Sequence, residues 1–183
     1  MTDKALKILI TGANGVGKTA LANALSQKLN LTLIPEVSRK LCTEKGFEDL
    51  TAINDKTGFA KMVLDHQLKA EENLSTFIAD RGCVDCWAHY LRWLISTNMT
   101  YDSEKFYQKC FKGSLNYNKI IFIPQMFRAQ NDGFRWVDPD YLKQMERIIK
   151  SILYEFDLLP ITYTLKTDNI TDRQNEVLKW LAV

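Results

Sequence analysis

The run Gly12-Ala-Asn-Gly-Val-Gly-Lys-Thr19 has a glycine, four intervening residues, a second glycine, a lysine and a hydroxyl residue. This is the spacing of a phosphate-binding loop. Glycines let the backbone curl until its amide N–H groups converge on an anion. Lys18 is expected to neutralise β- and γ-phosphate charge, and the Thr19 hydroxyl to ligate Mg²⁺. The helix that follows should turn its positive end toward the same anion. The expected nucleotide contacts are Gly12, Asn14, Gly15, Val16, Gly17, Lys18, Thr19 and Ala20.

A phosphate site that does chemistry needs carboxylates and further cations. Asp80 closes the apolar run Ser75–Asp80 and fits a metal-holding acid; a helix cap or turn acid is the alternative. Glu36 stands two positions after Ile34, where it could accept a proton from a substrate hydroxyl, or simply suit a helix dipole in its first turn. The chain has only seven arginines. Arg39, Arg81, Arg128, Arg135 and Arg173 lie near expected strand ends or loops, as phosphate or acceptor ligands or as ordinary surface and helix contacts. Gln67 lies on an apolar helical face with Phe59, Val63, Ala70 and Leu74, so its amide needs a partner: a substrate base or a core group. His66 beside it shows no catalytic context. Cys83 and Cys86 have C-x-x-C spacing, but no second pair completes a zinc set, so free thiols are expected.

These residues need elements to place them. Apolar runs at Leu6–Thr11, Leu31–Pro35, Ser75–Asp80, Lys119–Pro124 and Pro160–Leu165 alternate with helical patterns. The helices are expected at Lys18–Leu29, Glu36–Gly46, Lys56–Asn73, Val84–Ser96, Ser103–Leu115 and from Asp138-Pro139 to Phe156. Thr171–Gln174 reads as a capping box opening a last helix. The alternation predicts a parallel sheet covered on both faces. In such a sheet ligands bind beyond the carboxyl ends of the strands, which is where Gly12–Thr19, Glu36, Arg81 and Arg128 fall. The polar stretch from Gln125 to Asp138 is expected to be a lid that excludes water, with Gly133 as hinge.

With 24 basic and 22 acidic residues, the formal charge of +2 is too balanced to argue for nucleic acid or a membrane surface. No apolar run approaches a membrane span and no signal peptide is visible, so a cytoplasmic protein of one domain over residues 1–183 is expected, with a homodimer as a candidate assembly. A guanine-reading N-K-x-D is missing, since Asn118-Lys119 runs into a strand without the aspartate. A motor ATPase usually carries a helical lid domain as well. A phosphotransferase is therefore expected, with a nucleotide-binding regulatory module or slow NTPase as the alternative.

Gly12–Thr19, then Pro35-Glu-Val-Ser-Arg39, His66-Gln67, Ala79-Asp-Arg-Gly82 and Asn131-Asp-Gly-Phe-Arg135, in that order, resemble P-loop small-molecule kinases. The nearest resemblance is to the ribosylnicotinamide kinase domain of bacterial bifunctional NAD-biosynthesis proteins and to related AAA-type ATP-binding proteins. The resemblance covers most of the chain. It implies an α/β three-layer P-loop NTPase fold with a five-stranded parallel sheet in the order 2-3-1-4-5. It also implies ATP and Mg²⁺ as cofactors, and phosphoryl transfer to a small acceptor such as a nicotinamide riboside-like nucleoside or nucleotide. Lys18, Glu36, Asp80, Arg81 and Arg135 would be catalytic. Thr19 and Asp80 would hold the metal, Arg128 and Arg173 the nucleotide, and Glu36, Arg39, Gln67 and Arg81 the acceptor. Asp80 is implied as magnesium or base carboxylate, and Asp132 and Arg135 belong to the lid. The adenylyltransferase of the bifunctional proteins has no counterpart in these residues.

Overall fold

The computed structural model describes residues 5–47, 52–97, 103–126 and 138–182. Five strands form one sheet: β1 (Lys7–Thr11), β2 (Thr32–Ile34), β3 (Phe77–Asp80), β4 (Lys119–Phe122) and β5 (Thr162–Thr164). Every pairing is parallel, in the order β2-β3-β1-β4-β5, as the resemblance implies. The central strands β1 and β3 are apolar on both faces, and Ile8, Leu9, Ile10, Phe77, Ile78 and Ala79 are fully buried. Strands buried on both sides lose the alternation of an exposed sheet and read as continuous apolar runs.

Among the described residues, seven α-helices flank the sheet: α1 (Lys18–Leu29), α2 (Val37–Lys45), α3 (Lys56–Glu71), α4 (Cys83–Thr97), α5 (Glu104–Ser114), α6 (Pro139–Glu155) and α7 (Ile170–Leu181). Helices α1 and α7 pack together, while α4 packs on α3, α5 and α6. Gly46 ends α2 in the left-handed conformation (φ 71°), donating to the carbonyls of Cys42 and Thr43. Asp138 caps α6 by accepting from the Tyr141 amide (2.8 Å), and Pro139 occupies the first turn. None of these helices is long and apolar enough to cross a membrane.

Two local expectations are corrected. The fifth strand is shorter than the run Pro160–Leu165, because Leu159–Ile161 forms a 3₁₀ turn. Proline has no N–H to give a ladder and fixes its φ for a turn. The last helix is capped two residues earlier than the capping box places it: Asn169 Oδ1 accepts from the amides of Thr171 (2.8 Å) and Asp172 (3.3 Å).

The registers put the chemistry at one edge. Ile10 pairs with Asp80, Thr11 with Phe122 and Ile34 with Ala79. Gly12, Arg81 and Glu36 therefore leave the sheet at nearly one level. All four cysteines are free; Cys42, Cys83 and Cys110 are buried and Cys86 is half-buried. Burial pushes the Cys83 and Cys86 thiols well above their ordinary value, which makes them poor nucleophiles.

The corrected cap is testable by urea denaturation. Asn169→Ala should cost about 1 kcal/mol of stability. Thr171→Ala should cost less than half of that; a larger cost at Thr171 would restore the capping box.

Candidate functional site

The phosphate-binding loop curls because glycines take backbone angles that other residues avoid. Gly15 and Gly17 have φ of 74° and 89°. At Gly12 (φ 147°) a Cβ would come within 2.4 Å of the Ile123 carbonyl oxygen, so only glycine lets the loop leave β1 beside the end of β4. Lys18 is buried, and its ammonium donates to the carbonyls of Gly12 (2.9 Å) and Ala13 (2.5 Å) across the loop. Burial first, and the neighbouring Arg81 second, lower its pKa to about 7. A charge so poorly solvated gains much from an arriving anion.

At the end of β3 two successive residues serve two sides of the site. Asp80 accepts from the Thr19 hydroxyl at 2.5 Å. Its second oxygen, Oδ1, is buried with no hydrogen-bond partner among the described residues. An orphaned carboxylate oxygen beside a hydroxyl is a hard, all-oxygen donor pair, which fits Mg²⁺.

Arg81 turns the other way. Its backbone is left-handed (φ 75°), unusual outside glycine. Its Nε donates to Glu36 Oε1 (3.0 Å), and Nη2 to Asn14 Oδ1 (2.7 Å). Nη1 reaches Asp85 Oδ1 (3.2 Å) and His89 Nε2 (3.3 Å). Burial disfavours the cation, but Glu36, Asp85 and Asp80 outweigh it and hold the guanidinium pKa above its ordinary value. The Arg39 guanidinium sits 3.7 Å from the other oxygen of Glu36, 40% exposed.

The structure thus brings Asn14, Lys18, Thr19, Glu36, Asp80 and Arg81 together, with Arg39 at the margin. Gln67 belongs elsewhere. Its amide donates to buried Glu71 (2.7 Å), which also accepts from Tyr117 (2.7 Å). Arg173 lies under the loop, donating to the carbonyls of Val16 (2.7 Å) and Thr167 (2.9 Å). Arg128, Asp132 and Arg135, and with them most of the expected lid, fall outside the described residues. His66 is exposed, with its ring on the Met62 carbonyl.

Four site residues escaped the sequence reading. Asp85 and His89, four apart, share one face of α4, and Arg81, four positions before Asp85 and just ahead of the helix, reaches both; that spacing was available in the sequence. Asp85 also reaches back to the Gly82 amide (3.1 Å) at the start of α4. Tyr141 and Arg92 close the cluster from α6 and α4, with the Arg92 guanidinium 5.5 Å from the Tyr141 ring centroid. Nothing local in the sequence pairs those two.

A family model described as an AAA domain matches residues 7–173. The chain belongs to this AAA domain family. No curated protein matches it. Among solved structures, the AAA domain is similar to NadR in complex with NAD and AMP-PNP, with a TM-score of 0.74 and 14% identity over 98% of this chain and 50% of that one. It thus spans about half the length of NadR. It is also similar to deoxyadenosine kinase from M. mycoides with bound dCTP, with a TM-score of 0.72 and 14% identity over 97% and 99% of the two chains. Shikimate kinase from Aquifex aeolicus follows, with a TM-score of 0.59 and 15% identity over 97% and 96%. The fold is that of P-loop nucleoside and small-molecule kinases.

His89 gives this AAA domain an acid-sensitive site. Burial first, then the charges of Arg81 and Lys18, lower its pKa from 6.5 to about 3. The unfolded chain therefore binds a proton near pH 6.5 that the folded chain refuses until near pH 3. Stability from the neutral ring is present above pH 6.5 and is lost as pH falls toward 3. The urea midpoint of His89→Gln should fall less steeply over that window than the wild type's. Parallel curves would mean that His89 titrates normally.

Proposed function

We propose that the protein is an ATP-dependent kinase of a small molecule, with a nucleoside or nucleotide such as a nicotinamide riboside-like compound as acceptor. One observation carries this reading: a single guanidinium, Arg81, hydrogen-bonds both Asn14 of the phosphate loop and Glu36 beyond β2. A loop that only holds a nucleotide has no need of a second carboxylate locked to it from another strand. A phosphoryl transfer does, because it needs an acceptor hydroxyl oriented beside the γ-phosphate.

The roles follow from placement. The amides of residues 12–19 and the Lys18 ammonium bind the triphosphate, and Lys18 exchanges its two carbonyl partners for phosphate oxygens. Thr19 and Asp80 would hold Mg²⁺, which supplies charge neutralisation on the phosphates. Three carboxylates, Glu36, Asp80 and Asp85, are interleaved here with the cations Lys18, Arg81 and, at the margin, Arg39. Glu36, 10% exposed in its side chain, accepts the acceptor's proton, and its 3.0 Å hydrogen bond from Arg81 Nε aims the carboxylate. This assigns the base role to Glu36 and leaves Asp80 to the metal. Asp85 holds Arg81 from α4, and Arg39 flanks Glu36 on the acceptor side.

The test is ADP release with ATP and Mg²⁺, alone and with each member of a nucleoside and nucleotide panel. At least one acceptor should stimulate release and appear phosphorylated. ATP binding with no stimulation by any acceptor would replace the kinase with a regulatory module or slow NTPase. Glu36→Gln should lower acceptor-dependent turnover by about 10²–10⁴-fold while leaving ATP affinity nearly unchanged. Asp80→Asn should raise the Mg²⁺ concentration needed for half-maximal turnover. If Glu36→Gln turns over like the wild type, the base lies elsewhere.

A further inference from the structure

Arg173 is a charged side chain only 2% exposed, and it comes from the far end of the chain. It sits in the first turn of α7, yet its Nη1 reaches the Val16 carbonyl, 157 positions away in sequence, at 2.7 Å. Its Nε holds the Thr167 carbonyl at 2.9 Å. One turn further along α7, Glu176 accepts from the Lys166 amide and the Thr167 hydroxyl, both at 3.0 Å. The segment 166–167 that links β5 to α7 is thereby fixed, and Arg173 is fixed against it.

We infer that Arg173 is a positioning residue that aims the Gly17 amide into the phosphate cradle. The argument is geometric. The described residues contain no cis peptide, so in the Val16–Gly17 peptide the carbonyl and the following N–H point in opposite directions within one plane. A guanidinium that fixes the Val16 oxygen on the α7 side leaves the Gly17 N–H pointing away from α7. Without that anchor the peptide could rotate, since Gly17 on its far side is a glycine at positive φ (89°), a residue that tolerates a wide range of backbone angles. Gly17 is also matched to its anchor: a Cβ there would come 2.9 Å from Arg173 Nη1. Arg173 thus acts from behind the loop, through the backbone, and does not itself touch the phosphates.

This inference rests on the phosphate-cradle reading, and the experiment separates the two. Inorganic tripolyphosphate is titrated calorimetrically into wild type, Arg173→Met and Arg173→Lys, and the Gly17 amide is followed by ¹H–¹⁵N NMR. The wild type should bind, with a large shift of the Gly17 signal. Arg173→Met should lose about tenfold or more in affinity, and its Gly17 signal should respond weakly. Arg173→Lys, which keeps one charged donor, should fall between. A role in folding alone would lower the unfolding temperature and leave the Gly17 response of the folded protein intact, which would overturn the proposal. Binding by Arg173→Met within twofold of wild type would overturn it as well. If the methionine variant does not fold, the lysine variant is judged by the same two readouts. A wild type that ignores tripolyphosphate would refute the cradle, and the anchor with it.

Discussion

Arg81 keeps a full charge out of water at a position where its own backbone is left-handed, and side chains from the phosphate loop, the end of β2 and helix α4 close around it. A left-handed non-glycine residue costs about 1–3 kcal/mol. Leaving its buried carboxylate partners without their cation would cost about 3–5 kcal/mol. Pairing therefore outweighs strain, and the conformation persists. Because Asp80 and Arg81 are adjacent, this turn sends one side chain toward Thr19 and the next toward Glu36. The rest of the site is arranged around that divergence.

The sheet exists to make this contact possible. Parallel pairing of β2, β3 and β1 brings the ends of three strands, separated by up to 70 positions in sequence, to one edge. Full burial of the central strands fixes their register, because a slip by one residue would exchange the two faces of the sheet. With the register fixed, Glu36, Arg81 and the loop after Thr11 cannot drift apart. A second long-range anchor, Arg173 on Val16, ties the last helix to the same loop. The phosphate loop is rich in glycine and has little stiffness of its own. Side-chain donors hold its shape: Lys18 on the Gly12 and Ala13 carbonyls, Arg81 on Asn14 and Arg173 on Val16.

Much of this was legible in the sequence because it is local. The loop signature lies within eight residues, and each strand is a short apolar run between breakers. The order of the strands was not local; it came from the resemblance, and the pairings bear it out. Glu36, Asp80 and Arg81 could be singled out because residues just past strand ends share an edge. Their individual partners could not, apart from the spacing of Arg81, Asp85 and His89. Asn14 reads as one more loop residue until its side chain is seen on Arg81, and Tyr141 depends on how α6 crosses α4. Gln67 shows the limit of reasoning from one face of a helix. An amide among apolar neighbours does need a partner, but the partner is Glu71 on the same helix. The displaced cap at Asn169 is a similar case, since Asn169 and Thr171 both carry suitable oxygens and only geometry chooses between them.

The most direct test is a crystal structure with Mg²⁺ and a non-hydrolysable ATP analogue. The account predicts phosphates seated on the amides of residues 12–19 and the metal between Thr19 and Asp80. The Glu36 carboxylate and Arg81 guanidinium should face the open side of the γ-phosphoryl group. A γ-phosphoryl group turned away from Glu36 and Arg81, or a metal held without Asp80, would contradict it.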